Sequence, residues 1–216
     1  MKAGLGPEEI ERLSHEGSLQ SVARRSIVPL DGPALVVVVE GLFRIFRNAA
    51  FVRDVSLGLG SPGDVLAAAS AFGERGAETG AEALSEGRIV LLAQSTWERL
   101  AAAEPELWLK LSASVARRLT RLQQRVEEVT RSGVEARVAA ALGELADSFG
   151  RPVEGGLKLD LPLSQEDLAR LAGTTRETCS AIVAEFSRQG IVRGGRLRGM
   201  LVIDAEALRR AAERTL

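Results

Sequence analysis

The stretch LSQEDLARLAGTTRETCSAIVAEFSRQGIVRGGRLRGMLVI, residues 163–203, decides the reading of this chain. Ser164 stands three residues before Asp167 and just after Pro162, a capping-box pattern at a helix start. That helix runs through Leu168 and Leu171 to Ala172, and Gly173 breaks it. Thr174 is read as the cap of a second helix, with Glu177 as its box partner. The second helix covers about residues 175–189 and stops at Gly190. Two helices joined by a tight glycine-containing turn form a helix-turn-helix. Leu168, Cys179, Ile182, Val183 and Phe186 share one face and form the inter-helix core, with the small Ala169 at the crossing. Arg176, Glu177, Ser180, Ala184 and Arg188 lie on the opposite face.

The chemistry of that face suits DNA. A second helix in this motif presents its N-terminal residues to base edges in the major groove. Arg176 is a bidentate donor for guanine, Glu177 an acceptor for cytosine N4, and Ser180 reaches a base or a phosphate one turn on. Ser164, Gln165 and Thr175 sit near helix N-termini, where side chains and backbone N–H groups meet phosphate oxygens. After Gly190, residues 191–203 read as two short strands around Gly194-Gly195, a β-hairpin wing. Arg193, Arg196 and Arg198 give the wing a local positive charge suited to the DNA backbone. Asp204 caps a last helix ending near Arg214. A helical hairpin with a merely solvated charged face is the competing reading, and the Arg-bearing wing argues against it.

Upstream, the stretch between Pro105 and Gly133 holds no internal helix breaker. Leu111, Val115, Leu119, Leu122, Val126 and Val129 are spaced 4, 4, 3, 4 and 3, close to the repeat of a two-helix seam. An amphipathic helix packed on its own domain fits the same spacing. Arg117, Arg118, Arg121, Gln124 and Arg125 are expected to flank the stripe in solvent. Residues 134–148 read as another helix, stopped by Phe149 to Pro152, and 157–161 as a short strand. Residues 5–15 read as a short helix. From 26 to 94 the apolar runs 34–39, 42–46, 55–59 and 89–92 are strand-like and punctuated by Gly and Pro, as in an antiparallel sandwich or barrel. The expected architecture is therefore α+β, with boundaries at 1–104, 105–131 and 132–216.

Composition narrows the function. The 216 residues carry 28 Lys+Arg against 29 Asp+Glu, so any basic surface is local. One Cys and one His exclude a disulfide framework, a Cys-ligated iron–sulfur cluster and most zinc sites. There is no phosphate-binding Gly-rich loop, no His-Glu-x-x-His and no nucleophile–base pair, so an enzyme is not expected. The longest apolar run, 34–39, is far short of the roughly 20 residues of a spanning helix, and a cytoplasmic chain with no membrane partner is expected.

Thr175-Arg176-Glu177-Thr178, then Ile182, Phe186 and Gly190-Ile191-Val192, resemble the recognition helix and wing of the CRP/FNR family of bacterial transcription regulators. Ser61-Pro62-Gly63-Asp64-Val65 and the helix text of residues 102–129 agree in order. The resemblance implies an antiparallel β-roll or jelly-roll effector domain, a long dimerisation helix and a C-terminal winged helix-turn-helix. It also implies a homodimer on near-palindromic double-stranded DNA, with RNA polymerase as a further partner.

The departures are informative. Cyclic-nucleotide-binding members carry a Gly-Glu pair and an Arg followed by Ser or Thr after the Gly-Asp. Here those slots read Ala67-Ala68 and Glu78-Thr79, with Arg75 nearby. Ala cannot hold a ribose hydroxyl, and a carboxylate repels phosphate, so gating by a cyclic nucleotide is not expected. The roll is also short between Ser21 and Gly41. No N-terminal cysteines stand ready for an iron–sulfur cluster. His15 reads as a surface residue rather than a haem ligand. Cys179 reads as a buried hydrophobe rather than a redox switch, and no cofactor or metal is expected. Ala181 stands where many cyclic-nucleotide members keep a second Arg. The alternative to a DNA-binding regulator is a ligand-sensing roll that works through protein contacts, its DNA module vestigial. Operator, effector, and activation or repression stay open at this level.

Overall fold

A computed structural model of the chain describes residues 5–30, 32, 35–49, 52–67, 79–131, 133–194 and 197–213. The fold is α+β and comprises two compact units, Met1–Gln123 and Gln124–Leu216.

The first unit begins with α1 (Pro7–Glu16), whose proline sits in the first turn where no N–H is needed. Eight strands follow: β1 (Ser18–Val22), β2 (Ile27–Pro29), β3 (Leu35–Glu40), β4 (Phe43–Ala49), β5 (Val52–Gly60), β6 (Val65–Ala67), β7 (Thr79–Ala83) and β8 (Gly87–Leu92). They form two antiparallel sheets, ordered β1-β8-β3-β6 and β2-β7-β4-β5. β3 explains the continuous apolar run. Leu35 to Val38 are all fully buried, because successive side chains point to opposite faces and both faces are covered. Val36 and Val38 join Phe43, Ile45, Ala81 and Ile89 in the core between the sheets. Leu35 and Val37 face a second core with Leu13, Trp97, Leu100, Leu107 and Leu111. That second core brings in α2 (Gln94–Ala103) and the start of α3 (Pro105–Arg131). Trp97 and Trp108 stack there, 5.4 Å between ring centroids.

Four strands of this unit, β1, β2, β6 and β7, fall outside the expected runs. β1 reads SLQSV and β7 TGAEA, too polar or too small to stand out. α2 was missed because only Trp97 and Leu100 anchor its ten residues. One charged pair also escaped the sequence. Arg44 and Glu82 are direct partners across β4 and β7, both buried, with Arg44 Nη2 2.8 Å and Nε 3.1 Å from Glu82 Oε2. The Arg44 guanidinium also lies over the Phe46 ring at 4.7 Å.

The second unit opens with α4 (Val134–Phe149), whose buried face includes Val138, Leu142 and Leu145. β9 (Arg151–Val153) and β10 (Gly156–Asp160) follow, then α5 (Gln165–Ala172) and α6 (Arg176–Arg188). β11 (Val192–Arg193), β12 (Arg198–Val202) and α7 (Ala205–Ala212) end it, the sheet running β11-β12-β10-β9. Gly156 sits at φ 143°, and a Cβ there would lie 2.1 Å from the Val202 carbonyl. Only glycine lets β10 and β12 approach so closely. No helix among the described residues is long and apolar enough to cross a membrane.

Candidate nucleic-acid interface

The α5 start is the capping box that its spacing announces. Ser164 Oγ accepts from the Asp167 N–H at 3.2 Å, and Asp167 Oδ2 accepts from the Ser164 N–H at 2.8 Å. At the other end, Gly173 takes φ 63°. The Thr174 N–H donates to the Ala169 carbonyl, and the Gly173 N–H to that of Arg170. This pair of bonds is a Schellman ending.

That ending corrects the cap of the second helix. Thr174 is spent closing α5, and Thr175 is the N-cap of α6. Its Oγ1 accepts from the Thr178 N–H at 3.3 Å and lies 3.0 Å from the Thr178 hydroxyl. The third helical position is therefore Thr178, and Glu177 is no box partner. Glu177 is exposed beside Arg176.

α6 divides as its sequence suggests. Cys179, Val183 and Phe186 are buried, and Ile182 is half-buried. Arg176, Glu177, Ala181, Ala184 and Arg188 are exposed, and Ser180 is half-buried. Arg188 pairs with Glu185 one turn back. Among the phosphate candidates, Thr175 is exposed, while Ser164 and Gln165 are half-buried. Arg193 and Arg198 of the wing are exposed. Arg196 lies outside the described residues. Burial pushes the Cys179 thiol up to about 11, which leaves it protonated and inert at neutral pH.

The stripe on α3 is mixed. Leu111 is fully buried in its own unit's core, Val115 and Leu122 are half-buried, and Leu119 is 57% exposed. The side chains of Val126 and Val129 lie outside the described residues. Arg118 departs from its expected place in solvent. Its Nη1 donates to the carbonyl oxygens of Val65, at 3.1 Å, and of Leu66. Burial pulls its pKa below the usual guanidinium range, and the Asp64 charge opposes that shift. The tie is invisible in a helical stripe because its acceptors are backbone atoms 53 and 52 residues away.

In the roll, Asp64 accepts from the Ser61 N–H and hydroxyl, both at 2.8 Å, and so closes the Ser61–Asp64 turn. Ala67 is buried at the end of β6 and Thr79 half-buried at the start of β7. Ala68, Arg75 and Glu78 lie outside the described residues. His15 is exposed on α1. Among the described residues no cluster of His, Cys, Asp and Glu is arranged to hold a metal ion.

Residues 136–211 match the Crp-like helix-turn-helix domain. The CRP-like cAMP-activated global transcriptional regulator of Mycobacterium tuberculosis is 31% identical over 183 residues, covering 84% of this chain and 80% of that one. The nitrogen fixation regulation protein FixK of Azorhizobium caulinodans is 32% identical over 181 residues, covering 81% and 69%. The structure of FixK2 from Bradyrhizobium japonicum shares the fold with a TM-score of 0.78 at 24% identity, covering 93% of this chain and 99% of that one.

Proposed function

Because this chain belongs to the CRP/FNR family of bacterial transcription regulators, we propose that it acts as a homodimer on a near-palindromic operator without gating by a cyclic nucleotide. The observation that carries base reading is the pairing of a fixed α6 start with exposed Arg176 and Glu177 on its first turn. Those side chains meet base edges, while Thr175, Gln165, Ser164 and the wing arginines Arg193, Arg196 and Arg198 hold phosphates. Arg188 serves the same face farther along the helix.

Residues 1–104 form the roll, 105–131 the dimerisation helix and 132–216 the DNA-binding domain in this reading. Val115, Leu119 and Leu122 support the dimer, since an exposed leucine on a long helix gains by meeting its symmetry mate. Val126 and Val129 extend the seam, and Leu111 supports it from within its own core. The two recognition helices would then sit about 34–36 Å apart, one DNA turn. RNA polymerase is the partner through which such a regulator acts.

Independence from a cyclic nucleotide is supported by residue chemistry. The relative from Mycobacterium tuberculosis is named as cAMP-activated. In this chain a methyl group, Ala67, occupies the strand end where the ribose-binding pair is expected, and it is buried. Selection from a random DNA pool by the purified protein, with no small molecule added, tests the whole reading. A palindrome recovered at nanomolar affinity is the expected result. Weak, sequence-blind binding that cAMP makes selective would overturn independence from a cyclic nucleotide, and blindness under both conditions would overturn base reading.

A further inference from the structure

We infer that Arg137 is a positioning residue for base reading, fixing the turn from which the recognition helix starts. This rests on the DNA-binding reading of α6. The Schellman ending satisfies the carbonyls of Ala169 and Arg170 and leaves that of Ala172, at the negative end of α5, without a backbone donor in the turn. Arg137, in the first turn of α4, fills that place. Its Nε donates to the Ala172 carbonyl at 3.0 Å, and its Nη2 reaches the Gly173 carbonyl at 3.5 Å.

The turn is open at its glycine. Gly173 is exposed, and a Cβ built on it would meet nothing within 4 Å. Only Gly173 and Thr174 separate the last residue of α5 from Thr175, the cap of α6. A shift of the Ala172–Gly173 peptide therefore moves Arg176 and Glu177 directly. The guanidinium fork spans two consecutive carbonyls, which a lysine ammonium meets only as a point donor. Base contacts are directional, so their selectivity suffers from a misplacement that diffuse phosphate attraction tolerates.

The test measures wild type, Arg137→Met, Arg137→Lys and Val138→Ala on the selected operator, a one-base-pair variant of it and random DNA, at several salt concentrations. Arg137→Met keeps the side chain's length and removes its donors. It should lose about tenfold on the operator, about 1.4 kcal/mol. It should also lose discrimination against the variant site, while keeping the affinity for random DNA and the salt slope. Arg137→Lys should recover part of the discrimination. Val138→Ala truncates a buried residue of the same helix and controls for stability. Equal loss of discrimination there at a matched fall in melting temperature would reduce Arg137 to general packing and overturn the inference. So would an Arg137→Met protein with full discrimination, or one whose loss is equal on all DNA with a shallower salt slope, the mark of a phosphate contact. A wild type with no sequence preference would overturn the function itself and this inference with it, and is distinguished by needing no variant to show it.

Discussion

Arg118 Nη1 donates to the Val65 carbonyl at 3.1 Å, tying the middle of α3 to the strand that follows the Ser61–Asp64 turn. The same nitrogen also serves the Leu66 carbonyl. One arginine thus fixes how the long helix lies on the edge strand of a sheet. Arg118→Ala removes the donor from both carbonyls and should cost about 1–3 kcal/mol in the first unit. The chain's two tryptophans, Trp97 and Trp108, stack in that unit and report its unfolding by fluorescence in denaturant. An unchanged midpoint would mean that water satisfies the two carbonyls equally well.

The Arg44–Glu82 pair predicts a non-additive stability cycle. Both groups are nearly inaccessible, and removing one deprives the other's buried charge of its close partner, although Glu82 keeps Arg25 at 3.4 Å. Arg44→Met or Glu82→Leu alone should each cost about 3–5 kcal/mol, and the double variant should recover much of the loss. Additive losses in equilibrium unfolding would show that each residue is held by its other neighbours rather than by the pair.

These two ties mark what was and was not legible in the sequence. The helix-turn-helix was legible because its signals are local: Ser164 with Asp167, the glycine at 173, and an apolar face at helical spacing. The error at Thr174 came from two threonines in a row, either able to cap. The Schellman bond to Ala169 and the Thr178 N–H donated to Thr175 Oγ1 tell which belongs to which helix. β3 was legible because four buried residues in succession leave an unbroken apolar run. β1 and β7 were not, since strand pairing makes them strands more than their residues do. Arg118 reads as a solvent-facing arginine, and nothing local in the sequence singles out Arg44 or Arg137. The partners of Arg44, Arg118 and Arg137 lie 38, 53 and 35 residues away, and no local pattern announces a contact at that distance.

Cys179 should be silent in native protein. With the thiol buried and pushed up to about 11, only about one molecule in a thousand carries the thiolate at pH 8. A thiol reagent should label it no faster than the unit opens, and denaturant should release it at once. Mild oxidant should leave DNA binding unchanged. Rapid labelling of folded protein would return Cys179 to the list of possible sensors.

Glu9 gives the first unit an acid-sensitive contact. The Lys110 ammonium bonded to it holds its carboxyl below the ordinary 4.5, against desolvation that raises it. A carboxyl lowered by folding contributes stability that is full above its unfolded value and is lost as pH falls through the folded one. The melting temperature should therefore fall as pH drops below about 4.5, and Glu9→Gln should start lower and fall less. Parallel curves for the two proteins would show that Lys110 stays solvated rather than bonded to Glu9.

Arg176 and Arg193 are both exposed arginines of the second unit, yet they should fail differently when truncated. Arg176 stands on the first turn of α6, where two parallel hydrogen bonds to one guanine are within reach of its fork. Arg176→Ala should cost roughly 1–3 kcal/mol on the operator and relax preference at a single base pair, with little change on random DNA. Arg193 lies on the first wing strand, and in the proposed function it meets the DNA backbone, which carries no sequence. Arg193→Ala should weaken all sites alike and reduce the salt slope by about one, the release of one phosphate contact. Binding titrations of both variants on operator, single-substitution sites and random duplex, repeated across salt, separate the two roles. A sequence-selective loss at Arg193, or a uniform one at Arg176, would exchange the wing and the helix as reader and anchor.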